Sequence, residues 1–190
     1  MKKCVGYFGL LLLTLVTGSV AEAGEYVINS QATTVTFKVR QFGMAEQTGE
    51  FAGATGRVVL DRGDGEAALE IVLDSRLVRA DNNTAQSILR SRSMLDVEQY
   101  PAIEYSASHI TFVEGKPDRI DGSLTLRGAT RPVSLIVDSY SCVATDTGEQ
   151  CRFEATAAFK RSEFGMRGFM GFVSDEVRLA ILGVADSTIQ

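Results

Sequence analysis

The clearest signal in this chain is the alternation of apolar and polar residues. Thr34-Val35-Thr36-Phe37-Lys38-Val39-Arg40 places Val35, Phe37 and Val39 on one side of an extended backbone, the pattern of a strand buried on one face. Leu69, Ile71 and Leu73 repeat it, as do Phe153, Ala155, Ala157 and Phe159, and later Val177, Leu179 and Ile181. Residues 55–60, 103–112, 120–126 and 132–137 bring the expected count to about eight strands. Turn chemistry separates the runs at Asp61-Arg62-Gly63-Asp64-Gly65, Glu114-Gly115-Lys116-Pro117-Asp118 and Asp146-Thr147-Gly148. Within 103–112 the phase slips, because Ile103, Tyr105 and Ala107 share a face that Ile110 and Phe112 leave, so a β-bulge is expected near Ser108 or His109. One stretch is different. Asp81-Asn82-Asn83-Thr84 supplies helix caps ahead of Ala85-Gln86-Ser87-Ile88-Leu89-Arg90, and Tyr100-Pro101 then forces extended backbone. About eight antiparallel strands, each with one apolar face, close into a sandwich or a barrel, and a barrel of this size can hold one small ligand. The pattern leaves both open.

The start of the chain has another character. Met1-Lys2-Lys3 precedes an apolar stretch from Val5 to Val16, and Ala21-Glu22-Ala23 has the small-x-small form of a signal-peptidase site. Residues 1–23 are therefore expected to be a cleavable leader and 24–190 one exported all-β domain, periplasmic or secreted. The apolar run is shorter than the roughly 20 residues that a membrane-crossing helix needs. Cleavage removes Lys2, Lys3 and Glu22, moving the net charge from −5 to −6. That balance excludes a general nucleic-acid binder, which needs a basic face. Cys142 and Cys151 remain and bracket the turn Thr145-Asp146-Thr147-Gly148-Glu149, so a disulfide across a hairpin is expected, with free thiols for redox or metal chemistry as the competing reading.

Little in the sequence carries catalytic chemistry. His109 is the one histidine, there is no nucleophile elbow or phosphate loop, and the neighbours Asp175 and Glu176 point to opposite faces of a strand. Arg62-Gly63-Asp64 reads as a tight turn, and Asn82-Asn83-Thr84 as a helix cap before it reads as a glycosylation acceptor. What stands out is apolar residues where turns are normally polar. Phe164-Gly165-Met166-Arg167-Gly168-Phe169-Met170-Gly171-Phe172 holds three Phe, two Met and three Gly, and related mixtures occur at Phe42-Gly43-Met44 and Ser93-Met94-Leu95. Such segments either plug a barrel end or form an adaptable, greasy mouth. Arg92 and Arg167 are then placed to meet an anionic head group.

These residues resemble the YceI-like family of exported, lipocalin-like barrels. The resemblance is carried by Tyr26-Val27-Ile28-Asn29, by Val35 to Met44 with Gly49-Glu50-Phe51, by Asp74-Ser75 with Leu89-Arg90-Ser91, and by Leu95 to Ile103. Its most specific stretch is Gly122-Ser123-Leu124-Thr125-Leu126-Arg127-Gly128-Ala129-Thr130-Arg131-Pro132-Val133, and Phe159 to Met166 with Val173 to Val177 completes it. The chain departs from the family pattern where Asn29, Ala32-Thr33, Gln41 and Ile88 stand at positions in which Asp or His is common. The resemblance implies an antiparallel barrel of about eight strands with one short helical segment, holding a polyprenyl phosphate or quinone tail in an apolar interior without catalysis. Phe37, Val39, Phe51, Ile71, Tyr105, Leu124 and Leu179 would line it. Phe42, Met44, Met94, Leu95, Phe164, Met166, Phe169, Met170 and Phe172 would form its mouth. The expected partner is an isoprenoid lipid, with no metal or catalytic cofactor, and the chain is expected as a monomer or homodimer. The alternative is an interaction module that docks on a membrane b-type cytochrome and carries no ligand; a barrel interior filled by large side chains would favour it.

Overall fold

The computed structural model describes residues 24–60 and 66–187. The expected leader and the turn 61–65, with its Arg62-Gly63-Asp64, lie outside the described residues. One antiparallel sheet contains β1 (Gly24–Ile28), β2 (Thr34–Gln41), β3 (Ala45–Ala52), β4 (Thr55–Leu60), β5 (Glu66–Asp74), β6 (Val78–Ala80), β7 (Ala102–Val113), β8 (Lys116–Leu126), β9 (Ala129–Thr145), β10 (Gly148–Lys160) and β11 (Glu176–Ser187). The first six are halves of three bent strands. β1 pairs with β4 while β2 pairs with β3, and β4 pairs with β5 while β3 pairs with β6. Counted this way the wall is a meander of eight strands. β11 closes it by pairing with β2 through residues 178–182 and with β1 through 185–187. The fold is therefore a closed barrel and not a sandwich, which removes the exposed edges that a sandwich retains.

Each bend leaves backbone groups that the ladder cannot serve, and nearby groups serve them. At the first bend the buried Thr33 hydroxyl accepts from the Val184 amide at 3.0 Å and donates to the Val184 carbonyl at 3.2 Å, while the Asn29 amide also reaches that carbonyl at 2.8 Å. At the third bend, the 3-10 turn Ser75–Leu77, the Ser75 amide donates to the Pro101 carbonyl and its hydroxyl to the Tyr100 carbonyl, both at 2.8 Å.

The expected strands all form. β3 was visible only through the family resemblance, because Ala45 to Ala52 carries one large apolar residue, Phe51, and so shows no alternation. β9 runs well past Val137, along a stretch with no fully buried residue that is paired to β10. The bulge in β7 falls between Ala107 and His109 and returns Ile110 to the inside. The helix α1 (Asn83–Arg90) starts where expected, with the Asn82 side chain accepting from the Ala85 amide at 2.9 Å. Cys142 and Cys151 face each other across β9 and β10 and form the disulfide.

Replacing Thr33 by Val keeps the shape and removes both bonds to Val184 in a buried place. Urea denaturation is expected to show a loss of about 1–3 kcal/mol, the cost of stranding a buried polar group; an unchanged midpoint would mean that the bend does not depend on the hydroxyl.

Candidate functional site

Alternation sends one side chain in two into the barrel, and the inward set is almost wholly apolar. It does not meet in the middle. A chamber of about 140 Å³ lies among Ile71, Tyr105, Ile110, Phe112, Tyr140 and Phe153, and a second of about 110 Å³ among Phe37, Val39, Phe51, Leu95, Phe159 and Val177. Val35, Leu73, Ile103, Leu124 and Leu179 line both, so the two chambers share a wall across the waist of the barrel. Since one water needs roughly 10–15 Å³ on this measure, the space in the first chamber alone is about tenfold larger. Apolar walls of this kind do not retain ordered water.

Three glycines explain how a barrel with so many aromatic residues stays hollow. Gly49 is the cross-strand partner of Phe37, and Gly183 that of Phe153. A Cβ at either position would run into the partner's ring. Gly122 lies in the same way under the Tyr105 ring, whose hydroxyl donates to the Val133 carbonyl at 3.0 Å and the Ile120 carbonyl at 3.2 Å. Burial, helped by the nearby Asp121 carboxylate, pushes the Tyr105 hydroxyl above its ordinary titration range, so it stays a neutral donor. Each ring is thus laid flat against the wall instead of projecting into the lumen.

The second chamber ends under segment 161–175, and Arg161 organises that end. It continues the inward phase of β10 and is 1 % exposed. Its Nε donates to the Ser174 carbonyl at 2.9 Å, Nη1 to the carbonyls of Met166 at 3.0 Å and Gly168 at 2.6 Å, and Nη2 to the Val173 carbonyl at 3.1 Å and the Met170 sulfur at 3.7 Å. Five contacts match its five N–H groups, which leaves none for a ligand. Burial lowers its pKa from the ordinary arginine value, against a smaller opposing pull from Asp175. Asp175 itself is turned to the Ser162 hydroxyl at 2.7 Å and the Ser162 amide at 2.9 Å, and these bonds lower its pKa.

Of the residues expected at the site, Phe37, Val39, Phe51, Ile71, Tyr105, Leu124 and Leu179 line the chambers, as do Met94, Leu95 and Met166. Phe164 does not. It is 2 % exposed and stacks edge-on against Phe159 at 5.2 Å, packing behind the lining. Phe42, Met44, Phe169, Met170 and Phe172 are exposed around one corner, where the Phe42 amide donates to the Phe172 carbonyl at 2.7 Å. Arg92 and Arg167 are both exposed, and their segments are joined by the Gly168 amide donating to the Ser93 carbonyl at 3.2 Å. Sequence reading missed Arg161, although the odd-numbered phase Phe153, Ala155, Ala157, Phe159 already pointed it inward. It also missed the three glycines, whose meaning depends on strand register. His109 is exposed on β7, and the sulfurs of Cys142 and Cys151 beside Glu149 are joined to each other and so offer no thiolate to a metal.

Comparison with known proteins agrees with this architecture. The YceI-like domain matches residues 26–185. Protein YceI of Salmonella arizonae is 30 % identical over 186 residues, 95 % of this chain and 96 % of that protein. Among solved structures, BcnA of Burkholderia cenocepacia superposes with a TM-score of 0.71 at 18 % identity, over 84 % of this chain and 99 % of that one. A polyisoprenoid binding domain from Saccharophagus degradans, implicated in plant cell wall breakdown, gives 0.63 at 14 % identity, over 85 % and 98 %. At these identities the structural likeness is one of fold.

Two measurements test the wall and the end of the barrel. Gly183→Ala is expected to cost about 1–3 kcal/mol in urea denaturation by driving the Phe153 ring inward, and Phe153→Leu in the same chain to recover part of it; additive losses would refute the coupling. Arg161→Met is expected to cost about 2–4 kcal/mol and to speed amide exchange across 165–175 first, with Arg161→Lys milder because fewer carbonyls are stranded.

Proposed function

The chain belongs to the YceI-like family, and from that premise we propose that its barrel is a non-catalytic binding protein for an isoprenoid lipid, a polyprenyl or isoprenoid-quinone tail lying along the two chambers. The observation that carries this reading is the lumen itself, two adjoining apolar spaces kept open by rings pressed against glycine. A ligand-free docking module has no use for such a space, and a filled interior would have spoken for it. An isoprenoid tail needs no polar partner along its length, because each buried CH₂-sized group contributes about 0.8 kcal/mol, or roughly 4 kcal/mol gross per five-carbon unit before ordering costs.

With the donors of Arg161 committed to carbonyls, an anionic head group would sit outside the second chamber, where Arg92 and Arg167 are exposed. Segment 164–172 would act as the gate, with Met166 on the lining and Phe169, Met170 and Phe172 facing out. The leader-like sequence pattern of residues 1–23 and the disulfide support export to an oxidising compartment beside isoprenoid-bearing membranes.

Organic extraction of the purified protein followed by mass spectrometry is expected to yield an isoprenoid; a clean sample that also fails to bind added quinone would end the proposal. Phe169→Glu is expected to weaken quinone binding about tenfold while shifting the melting temperature by less than about 2 °C, since that residue is half exposed already and, unlike Met170, makes no contact with Arg161. An equally large loss of stability would make the segment a plug.

A further inference from the structure

The corner where segment 164–172 meets the β2–β3 turn has a property that binding inside the barrel does not require. Phe42, Met44, Phe169, Met170 and Phe172 are 49 to 91 % exposed, and among the described residues they are all of the exposed Phe and Met. The other exposed large apolar residues, such as Val27, Val72 and Val143, are scattered singly along strands, which is ordinary for a protein surface. These five form one group. The Phe42 and Phe172 rings meet edge to face at 5.7 Å, and the Gln41–Val173 bridge ties the two turns together.

The backbone adds a second observation. Phe42 and Phe169 hold φ of 52° and 57°, in the left-handed region that glycine or asparagine occupies at least cost. A bulky aromatic there is unfavourable twice, in its backbone and in its exposure to water. The Phe42–Phe172 ring contact offsets only part of that cost, and an exposed apolar group held in this way is the mark of an interaction surface.

Charge identifies the contact. Arg40 flanks the patch and shares a cleft with Met170 and Phe172; Arg167 precedes Phe169 by two residues; Arg92 adjoins the Ser93 carbonyl that holds Gly168. None of the three has an ion-pair partner among the described residues. Of the neighbouring acids Glu46 is paired with Lys38 and Glu176 with Arg178, while Asp175, ionised and held by Ser162 in the cleft that Arg40 shares, and Glu163 keep their charge. Exposed aromatic and Met side chains at turn tips, with Arg40 in the same cleft and the exposed Arg92 and Arg167 on adjoining segments, match an anionic bilayer surface, with rings at the acyl boundary and arginines among the phosphates.

We propose that this corner docks the barrel on an anionic lipid bilayer. The proposal draws its purpose from the isoprenoid reading, because Met166 and Val173 of the same segment line the second chamber and the docked face is therefore also the one nearest the lumen. Its evidence is separate.

The chain contains no tryptophan, so Phe172→Trp supplies a single reporter at the corner. On adding vesicles of phosphatidylcholine with phosphatidylglycerol, its emission is expected to shift to the blue and to be quenched by brominated acyl chains, with a weaker response to pure phosphatidylcholine. In co-sedimentation with the same vesicles, Phe42→Ser with Phe169→Ser is expected to lower partitioning about tenfold or more, and Arg40→Gln to lower the preference for the anionic lipid about threefold to fivefold. All samples carry the same amino terminus, so differences report on the corner. Unmoved emission, equal partitioning of the variants, or a blue shift that follows protein concentration without vesicles, which would make the corner a contact between copies, each overturns the proposal. The vesicles contain no isoprenoid: docking by a protein whose extract is clean would sink the lumen reading alone, and an isoprenoid-loaded protein that ignores vesicles would sink this one alone.

Discussion

The whole molecule depends on the last strand being shared by both halves of the first. β11 pairs with β2 along 178–182, passes the bend at Gly183 and Val184, and pairs with β1 along 185–187. Without that double pairing the sheet has two open edges and its apolar face needs a second layer. With it, every strand except the short β6, which pairs with β3 alone, has two neighbours, and the apolar face is turned inside. The Thr33 hydroxyl, in contact with both backbone groups of Val184, carries the ladder across the point at which it would otherwise break.

Closure makes an inside, and the register decides whether that inside is full. Standing upright, Phe37 would take up the second chamber and Tyr105 and Phe153 the first, and Gly49, Gly122 and Gly183 let them lie down. Arg161 finishes the other boundary, gathering four carbonyls of segment 161–175 over the second chamber. A cation at the end of an apolar tunnel invites the reading of a head-group site. Here its donors are consumed by the protein, and the accessible positive charge belongs to Arg40, Arg92 and Arg167 outside.

Much of this was legible in the sequence, and the limits were physical. Period-two alternation marked β2, β5, β10 and β11, the slipped phase after Ala107 marked the bulge, and the cap at Asn82 marked the helix. Lining residues such as Phe37 and Leu124 followed from the same parity. The choice between sandwich and barrel did not, since it is made by pairing between β11 and β1, some 160 residues apart. β3 was hidden because Gly49 stands where a large residue would have shown the rhythm, and that substitution is also what gives Phe37 its place. Phe164 looked like part of the mouth because composition groups it with Phe169 and Phe172, yet the 3-10 turn Arg161–Phe164 rotates it inward.

The pairing of an aromatic ring with a glycine across two strands also bears on how such a barrel diversifies. The atoms nearest a methyl group at position 183 belong to the Phe153 ring and not to the backbone ladder, so a lineage can add one there and keep the strand pairing. The effect appears elsewhere, as a ring tipped into the lumen. The volume and shape of the lumen thereby come within reach of single codons, while the closed barrel is kept.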